Sequence, residues 1–444
     1  MKKTKIICTM GPNTNDRELV KQMALAGMDI ARFNFSHGDH EEQKGRVDII
    51  KSVRDELGIP IAMLLDTKGP EIRTGVLKDD IKLDIKDGQK FTLTTRNIVG
   101  NENEVSITYS GLPADVSKGN VILIDDGLIE LHVEEVVNGT DIVCKVINGG
   151  LLGQKKGVNV PNVSIRLPAI TDKDKDDILF AIEQGYDFIA ASFVRNAACI
   201  QEIKEILWSH DCDIPVIAKI ENAEGIANID EIIKVSDGIM VARGDMGVEI
   251  PAQDVPHIQK MIIKKCNAAY KPVITATQLL ASMMRNPRPT RAEVTDVANA
   301  ETTEQHLDLH LLENAKLHSR RGISSAVSNA AVSTAASLNA KAIICPTMSG
   351  FTARLISKLK PAQTIIGASP NEDVLRKMQL YWGVRPLKTA QERSSDMIFQ
   401  HAIDVAENAG YIEEGDTVVM TGGVATSPTS SRRGLTNMIR VQSV

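Results

Sequence analysis

Val216-Ile217-Ala218-Lys219-Ile220-Glu221-Asn222 and, after a helical stretch, Ile239-Met240-Val241-Ala242-Arg243-Gly244-Asp245-Met246-Gly247 decide the fold. Each is a short β-branched run that ends in charged and small residues, and helical sequence follows each. The same unit occurs at Phe188 to Val194 and at Val273-Ile274, which runs into Thr275-Ala276-Thr277-Gln278. Three strand candidates stand earlier, at Lys5 to Cys8, Ile30 to Phe35 and Ile61 to Leu65. After the first, a helix is expected from about Asn15, with Glu18 placed for a capping box and Gly27 as its stop. Strand–helix units at this spacing predict a parallel barrel or an open parallel sheet. Seven strands are found and no eighth: between Gln278 and Asn339 the sequence reads as helix only.

Between the third and fourth strands the rhythm changes. From about Gly69 to Leu167 the runs are short, alternating and rich in turns. Val121 to Ile124, Asp125-Asp126-Gly127 and Leu128 to Val133 read as a hairpin, and Asn138-Gly139 between Val136-Val137 and Ile142-Val143 as another. After Lys341 a separate α/β pattern begins, with strands at Ala342 to Cys345, Ile365-Ile366 and Val418-Val419-Met420. The expected organisation is a TIM (β/α)8-type barrel over residues 1–69 and 168–321, lacking its eighth strand–helix unit. A β-barrel-like insert occupies 70–167 and a C-terminal α/β domain 322–444.

Composition narrows the function classes. The chain has 444 residues, 43% of them apolar, which is ample for several cores without disulfide or metal staples. Its 51 basic and 57 acidic residues leave a net charge of −6, which argues against nucleic-acid binding, and 3% aromatics argue against base-stacking platforms. No apolar stretch approaches the roughly 20 residues of a membrane span. Six cysteines without a C-x-x-C pair read as reduced thiols. A cytoplasmic protein is expected.

Polar residues gather where the strands end, and in a barrel those ends form the rim that carries the active site. Arg32, Asn34, Ser36 and His37 stand at the end of the second strand; Asp66, Thr67, Glu71 and Arg73 at that of the third; Lys219 and Glu221, Gly244 and Asp245, and Thr277 at those of the later ones. Lys219 and Glu221 are two apart on a strand and face one side, which also suits a plain salt bridge, and Asp245 between glycines also suits a turn. Taken together, two carboxylates, a lysine and several arginines suit a divalent metal with a phosphorylated substrate. Oxygen ligands favour Mg2+ or Mn2+ over zinc.

The strings RFNFSHGDH, LLDTKGPEIRTG, AASFVR, IAKIEN, VARGDMGVEIP, ITATQ and RNPRPTRAEVTDVANA, in order over nearly the whole chain, resemble the pyruvate kinase family. That resemblance implies transfer of the phosphoryl group of phosphoenolpyruvate to ADP, giving ATP and pyruvate. It implies Glu221 and Asp245 as ligands of Mg2+ (or Mn2+), and Lys219 as the cation that stabilises the phosphoryl group. Arg32 and Arg73 would bind phosphate, and the N–H groups of Gly244 and Asp245 the substrate carboxylate. Thr277 would lie beside that carboxylate and help deliver the proton. Asn34, Ser36, Asp66 and Thr67 match its K+ site, Glu71 is the residue type of its K+-dependent members, and His37, Asn34 and Arg73 lie near its nucleotide. The insert would act as a lid. Thr347, Ser349, Gly350 and Thr352 resemble its effector phosphate loop, for a sugar-phosphate or nucleotide effector, with Arg432 and Arg433 as further candidate charges. A homotetramer is implied.

Three places depart from the family pattern. After Ala300 a strand–helix unit of about thirty residues is absent, and the chain goes directly to Glu301-Thr302-Thr303-Glu304. Tyr270 stands where the family has glycine before Lys271-Pro272, and Ala425 to Arg433 is longer than usual. The absent unit motivates a competing expectation, an impaired relative that only binds ligands or sister subunits. A metal-dependent aldolase-type lyase is a third reading, but it leaves the insert and the C-terminal domain without a role.

Overall fold

The computed structural model describes residues 2–277, 279–305, 322–392, 394–423 and 435–444. Gln278, Arg432, Arg433, the rest of the 425–433 stretch and residues 306–321 lie outside the described residues. Two compact units are formed: Met1–Asp66 with Phe180–Ile189 and Val294–Val444, and Thr67–Leu179 with Ala190–Glu293. The first unit carries β1 (Ile7–Met10), β2 (Ile30–Asn34) and β3 (Ala62–Asp66), and the second carries β5 (Val216–Ile220), β6 (Gly238–Ala242) and β7 (Val273–Ala276); β4 (Phe188–Ala191) lies between them in the sequence.

In the first unit β1, β2 and β3 are parallel, with Ile7 opposite Ile30 and Asn34 opposite Asp66. β3 is buried along its whole length, as a parallel strand covered on both faces should be. The helix after β1 spans Arg17–Ala26 and stops at Gly27, whose φ of 110° needs a residue without Cβ. Its cap differs from expectation: Asp16 accepts from the N–H of Glu18 and Leu19, so Glu18 lies in the first turn and no capping box forms. β1 also begins two residues later than expected. Lys5 is drawn out of the strand, donating to the Val384 carbonyl at 2.7 Å and to Gln379 Oε1 at 3.0 Å.

The C-terminal part of this unit is a five-stranded sheet in the order Val384–Lys388, Thr364–Ser369, Ala342–Pro346, Thr417–Gly422 and Met438–Ser443; the last strand is antiparallel. Its central strand shows period-two alternation. Ile343 and Cys345 pack with Ala331, Ala335 and Ile356, while Ala342 and Ile344 pack with Phe399 and Ile403.

In the second unit β5, β6 and β7 are parallel, with Lys219 opposite Met240 and Ala242 opposite Ala276. β5 and β6 are buried throughout, whereas every residue of β7 is only half-buried. Among the described residues β1 pairs with β2 alone, β7 pairs with β6 alone, and no strand follows β7 before Ala342. This matches the expected loss of the eighth unit, whose strand and helix would otherwise cover β7. The helix before β7, Val255–Ala269, ends at Tyr270 in the left-handed region with φ 64°.

The insert in this unit is a six-stranded sheet, Val158–Asn159, Val121–Ile124, Ile129–Val137, Asp141–Asn148, Lys90–Thr94 and Glu104–Ser106, beside a two-stranded one. Phe91, Leu93, Leu112, Ile122, Leu131 and Cys144 lie in its core. Both expected hairpins form. Asn138 and Gly139 have φ of 54° and 68°, the mirror-image turn that suits strand twist.

Candidate active site

The second unit places four residues in a closed ring at the ends of β4 and β5. Lys219, two residues before Glu221, faces the same side, and its Nζ lies 2.8 Å from Glu221 Oε1. Lys219 Nζ also donates to Ser192 Oγ at 2.7 Å. Glu221 Oε2 accepts from the Phe193 N–H at 2.5 Å. Phe193 holds a φ of 53°, rare for a bulky residue, and this turn aims its N–H at the carboxylate. Ser192 Oγ in turn donates to the Thr67 carbonyl at 2.6 Å, and the Ser192 N–H donates to Thr67 Oγ1 at 3.0 Å.

Glu221 is 1% exposed. Burial pushes its carboxyl up to about 7; Lys219 pulls the other way, and the charge of Asp245 adds to the rise. The Asp245 charge acting on Glu221 is one that a bound cation would offset. Among the described residues no group of three or more His, Cys, Asp or Glu converges on one point. The pair of oxygen donors fits a hard divalent cation that completes its shell with water and phosphate oxygens.

β6 runs directly into the helix Arg243–Glu249, and no side chain caps its N-terminus. The Gly244 and Asp245 N–H groups therefore lie in the turn that lacks helical partners. Thr277, at the end of β7, packs on Gly244: a Cβ there would sit 3.1 Å from Thr277 Cγ2. The carbonyls of Ala276 and Thr277 accept from Arg243 at 3.0 and 2.8 Å, and Thr277 has a φ of 77°. A β-branched residue held there is strained.

A cleft of about 430 Å³ in this unit is lined by Phe193 and Asn222 from the strand ends, by Asp245 and Glu249 from the helix after β6, and by Glu71, Arg73 and Asn159 from the insert. Asn159 Nδ2 donates to Glu249 Oε1 across it at 2.9 Å. Arg73 pairs with Glu71 and donates to the Lys155 carbonyl at 3.0 Å.

In the first unit the ends of β2 and β3 bring Arg32, Asn34 and Asp66 together. Arg32 Nε donates to Asp66 Oδ2 at 2.6 Å and Nη1 to Thr9 Oγ1 at 2.8 Å. Asn34 is the register partner of Asp66, and its Oδ1 accepts from the Ser36 N–H at 3.0 Å. The His37 carbonyl accepts from Gln43 at 2.9 Å. Asp66 is buried at 1% exposure.

The loop expected to hold an effector phosphate lines a separate cavity of about 180 Å³, to which Thr347, Ser349 and Thr352 contribute. Gly350 has a φ of 75° and precedes the helix Phe351–Lys358. The Thr352 hydroxyl lies 2.9 Å from that of Thr436, both buried.

Sequence reasoning did not single out Ser192, Phe193, Asn159 or Thr436. Ser192 and Phe193 lie in AASFVR, but their roles arise from hydrogen bonds between strands, which spacing does not show.

Comparison with known proteins agrees over the full length. The chain matches a family model described as "Pyruvate kinase, barrel domain" over residues 1–307 and one described as "Pyruvate kinase, alpha/beta domain" over 325–442. It is 47% identical over 479 residues to a pyruvate kinase of Clostridium acetobutylicum, covering 100% of both chains. It is 46% identical to that of Geobacillus stearothermophilus, covering 99% of this chain and 80% of that one. A crystal structure of a pyruvate kinase from Cryptosporidium parvum superposes with a TM-score of 0.92 at 37% identity, covering 100% of this chain and 96% of that one.

Proposed function

The chain belongs to the pyruvate kinase family, and from that premise we propose that it transfers the phosphoryl group of phosphoenolpyruvate to ADP, giving ATP and pyruvate. The observation that carries this reading at the site is the buried Lys219–Glu221 pair, 2.8 Å apart, with Asp245 near enough to raise the Glu221 carboxyl.

Glu221 and Asp245 would hold Mg2+ or Mn2+. When bound, the divalent cation supplies charge neutralisation to the transferring phosphoryl group. Lys219 keeps a fixed ammonium beside that position, so positive charge is in place before negative charge develops. The uncapped N–H groups of Gly244 and Asp245 would orient the substrate carboxylate, and Thr277, packed on Gly244, would sit beside it to deliver the proton that turns the enolate into pyruvate. Arg32 and Arg73 take the phosphate-binding roles, with His37 and Asn34 on the nucleotide side. Asn34, Ser36, Asp66 and Thr67 would hold K+, with Glu71 marking K+ dependence. The insert, here over 70–167, would close over the nucleotide and exclude water; 1–69 with 168–321 and 322–444 are the other proposed domains. Thr347, Ser349, Gly350 and Thr352 would hold the phosphate of a sugar-phosphate or nucleotide effector, in a cytoplasmic homotetramer. Among the described residues no helix is long and apolar enough to cross a membrane.

The test is pyruvate production by the full 444-residue chain with phosphoenolpyruvate, ADP, Mg2+ and K+, beside Lys219→Met. A K+-dependent rate absent in the variant is expected. A rate equal to the variant's would favour the impaired relative, since every residue of β7 is only half-buried.

A further inference from the structure

Ser192 carries a set of contacts that the roles above leave unused. It follows β4 directly, is 6% exposed, and bridges the chain after β3 to the end of β5. Its hydroxyl proton is committed to the Thr67 carbonyl at 2.6 Å, so toward Lys219 Nζ, at 2.7 Å, the oxygen is an acceptor. The Ser192 N–H to Thr67 Oγ1 bond at 3.0 Å fixes the backbone that carries it. Gly69 completes the fit: at its φ of 70°, a Cβ there would stand 2.8 Å from the Ser192 Cβ.

The ammonium of Lys219 therefore has two acceptors of unequal strength among its partners. One is the Glu221 carboxylate at 2.8 Å; the other is a neutral oxygen whose direction is set by Thr67. Without the serine, the lysine loses its neutral anchor and is drawn toward the carboxylate. Glu221 is also the carboxylate assigned to the divalent cation, so a lysine collapsed onto it competes with the metal and leaves the transferring group.

We propose that Ser192 is a positioning residue for phosphoryl transfer, whose hydroxyl holds the Lys219 ammonium at a fixed point beside Glu221 and so keeps that carboxylate available to the metal. The inference rests on the phosphotransfer reading above. Thr67, assigned to the K+ site, is thereby joined to Lys219 through one side chain.

Mn2+ binding to the full-length chain without substrate, followed by electron paramagnetic resonance of the free ion, separates the outcomes, together with steady-state kinetics and melting temperature. In Ser192→Ala the Mn2+ dissociation constant is expected to rise about ten-fold and kcat to fall about ten-fold, as removal of a residue supporting a metal ligand does. KM for phosphoenolpyruvate should change less than about two-fold, because the residue is assigned a positioning role and not a substrate contact. Ser192→Cys, similar in volume but a weak acceptor, should fall between wild type and alanine and carries the test where the alanine variant does not fold. Mn2+ affinity and kcat like wild type's with a lowered melting temperature would overturn the proposal and leave a serine that only ties strands together. Failure of wild type itself to bind Mn2+ or turn over would overturn the phosphotransfer reading and this inference with it.

Discussion

Lys219 Nζ and Glu221 Oε1 lie 2.8 Å apart in a site where the carboxylate is 1% exposed. In isolation this is a buried ion pair of the kind that rarely adds net stability. Its surroundings give it another meaning. Glu221 also takes the Phe193 N–H and feels Asp245, so the carboxylate is more crowded with negative charge than one lysine neutralises. Under the proposed function, a site built that way would be completed by a cation.

Replacing Lys219 separates charge from structure. Lys219→Met should lower kcat by about 10³ or more, the scale on which a positioned charge acts in phosphoryl transfer. Mn2+ should still bind, since the variant removes a competitor for Glu221. Its affinity, measured beside turnover, checks the assignment: joint loss of both would mean that the lysine builds the site and does not act in the reaction.

The strand ends that carry this chemistry were legible because parallel strands buried on both faces read as unbroken apolar runs, so the first charged residue marks the rim. Ile239 to Ala242 followed by Arg243-Gly244-Asp245 is such a boundary. Asn138-Gly139 was legible because its backbone angles suit few other residues. Ser192 was not, since its partners lie 125 and 27 positions away in sequence. β1 starts later than its apolar run suggests for the same reason: Lys5 leaves the strand for Val384, 379 positions on. The cap at Asp16 took the place expected for a capping box because aspartate caps the first turn alone.

The Asn159–Glu249 bond spans the cleft between insert and strand ends at 2.9 Å. If the insert closes over the nucleotide, Asn159→Ala should raise KM for ADP about three-fold or more while costing about 1.5–3 kcal/mol in stability, as loss of a hydrogen bond to a carboxylate does. Steady-state kinetics with ADP varied check this; an unchanged KM would leave the bond a packing contact.

Lys5 supplies a pH signature apart from the site. Burial lowers its ammonium from 10.5 to about 8, with Asp29 pulling the other way and Arg385 adding to the fall. A base with a depressed native pKa leaves the folded state with fewer bound protons than the unfolded chain between those values. Stability from this group therefore rises with pH through that window and is lost as pH falls toward 8, by about 3 kcal/mol in all. The difference in unfolding free energy between wild type and Lys5→Met should shift in favour of wild type from about pH 8 to pH 10. A pH-independent difference would show that the bonds to Val384 and Gln379 offset the burial.

Tyr270 is the most direct test of backbone strain in the chain. It ends the helix Val255–Ala269 at φ 64°, ψ 30°, with its N–H on the Asn267 and Cys266 carbonyls, the geometry of a glycine stop. A side chain with a Cβ costs about 1 kcal/mol or more there relative to glycine, less what its half-buried ring recovers by packing. Three residues on, β7 begins, which among the described residues pairs with β6 alone, so strain at its entry acts on a strand that is only half-buried. Tyr270→Gly should stabilise the protein by about 1 kcal/mol in denaturant titration, with an unchanged slope. Because Thr277 follows the far end of β7, away from Tyr270, the same variant should leave kcat within about two-fold. A loss of stability in the variant would mean that the tyrosine ring, not the backbone, decides the energy of this corner.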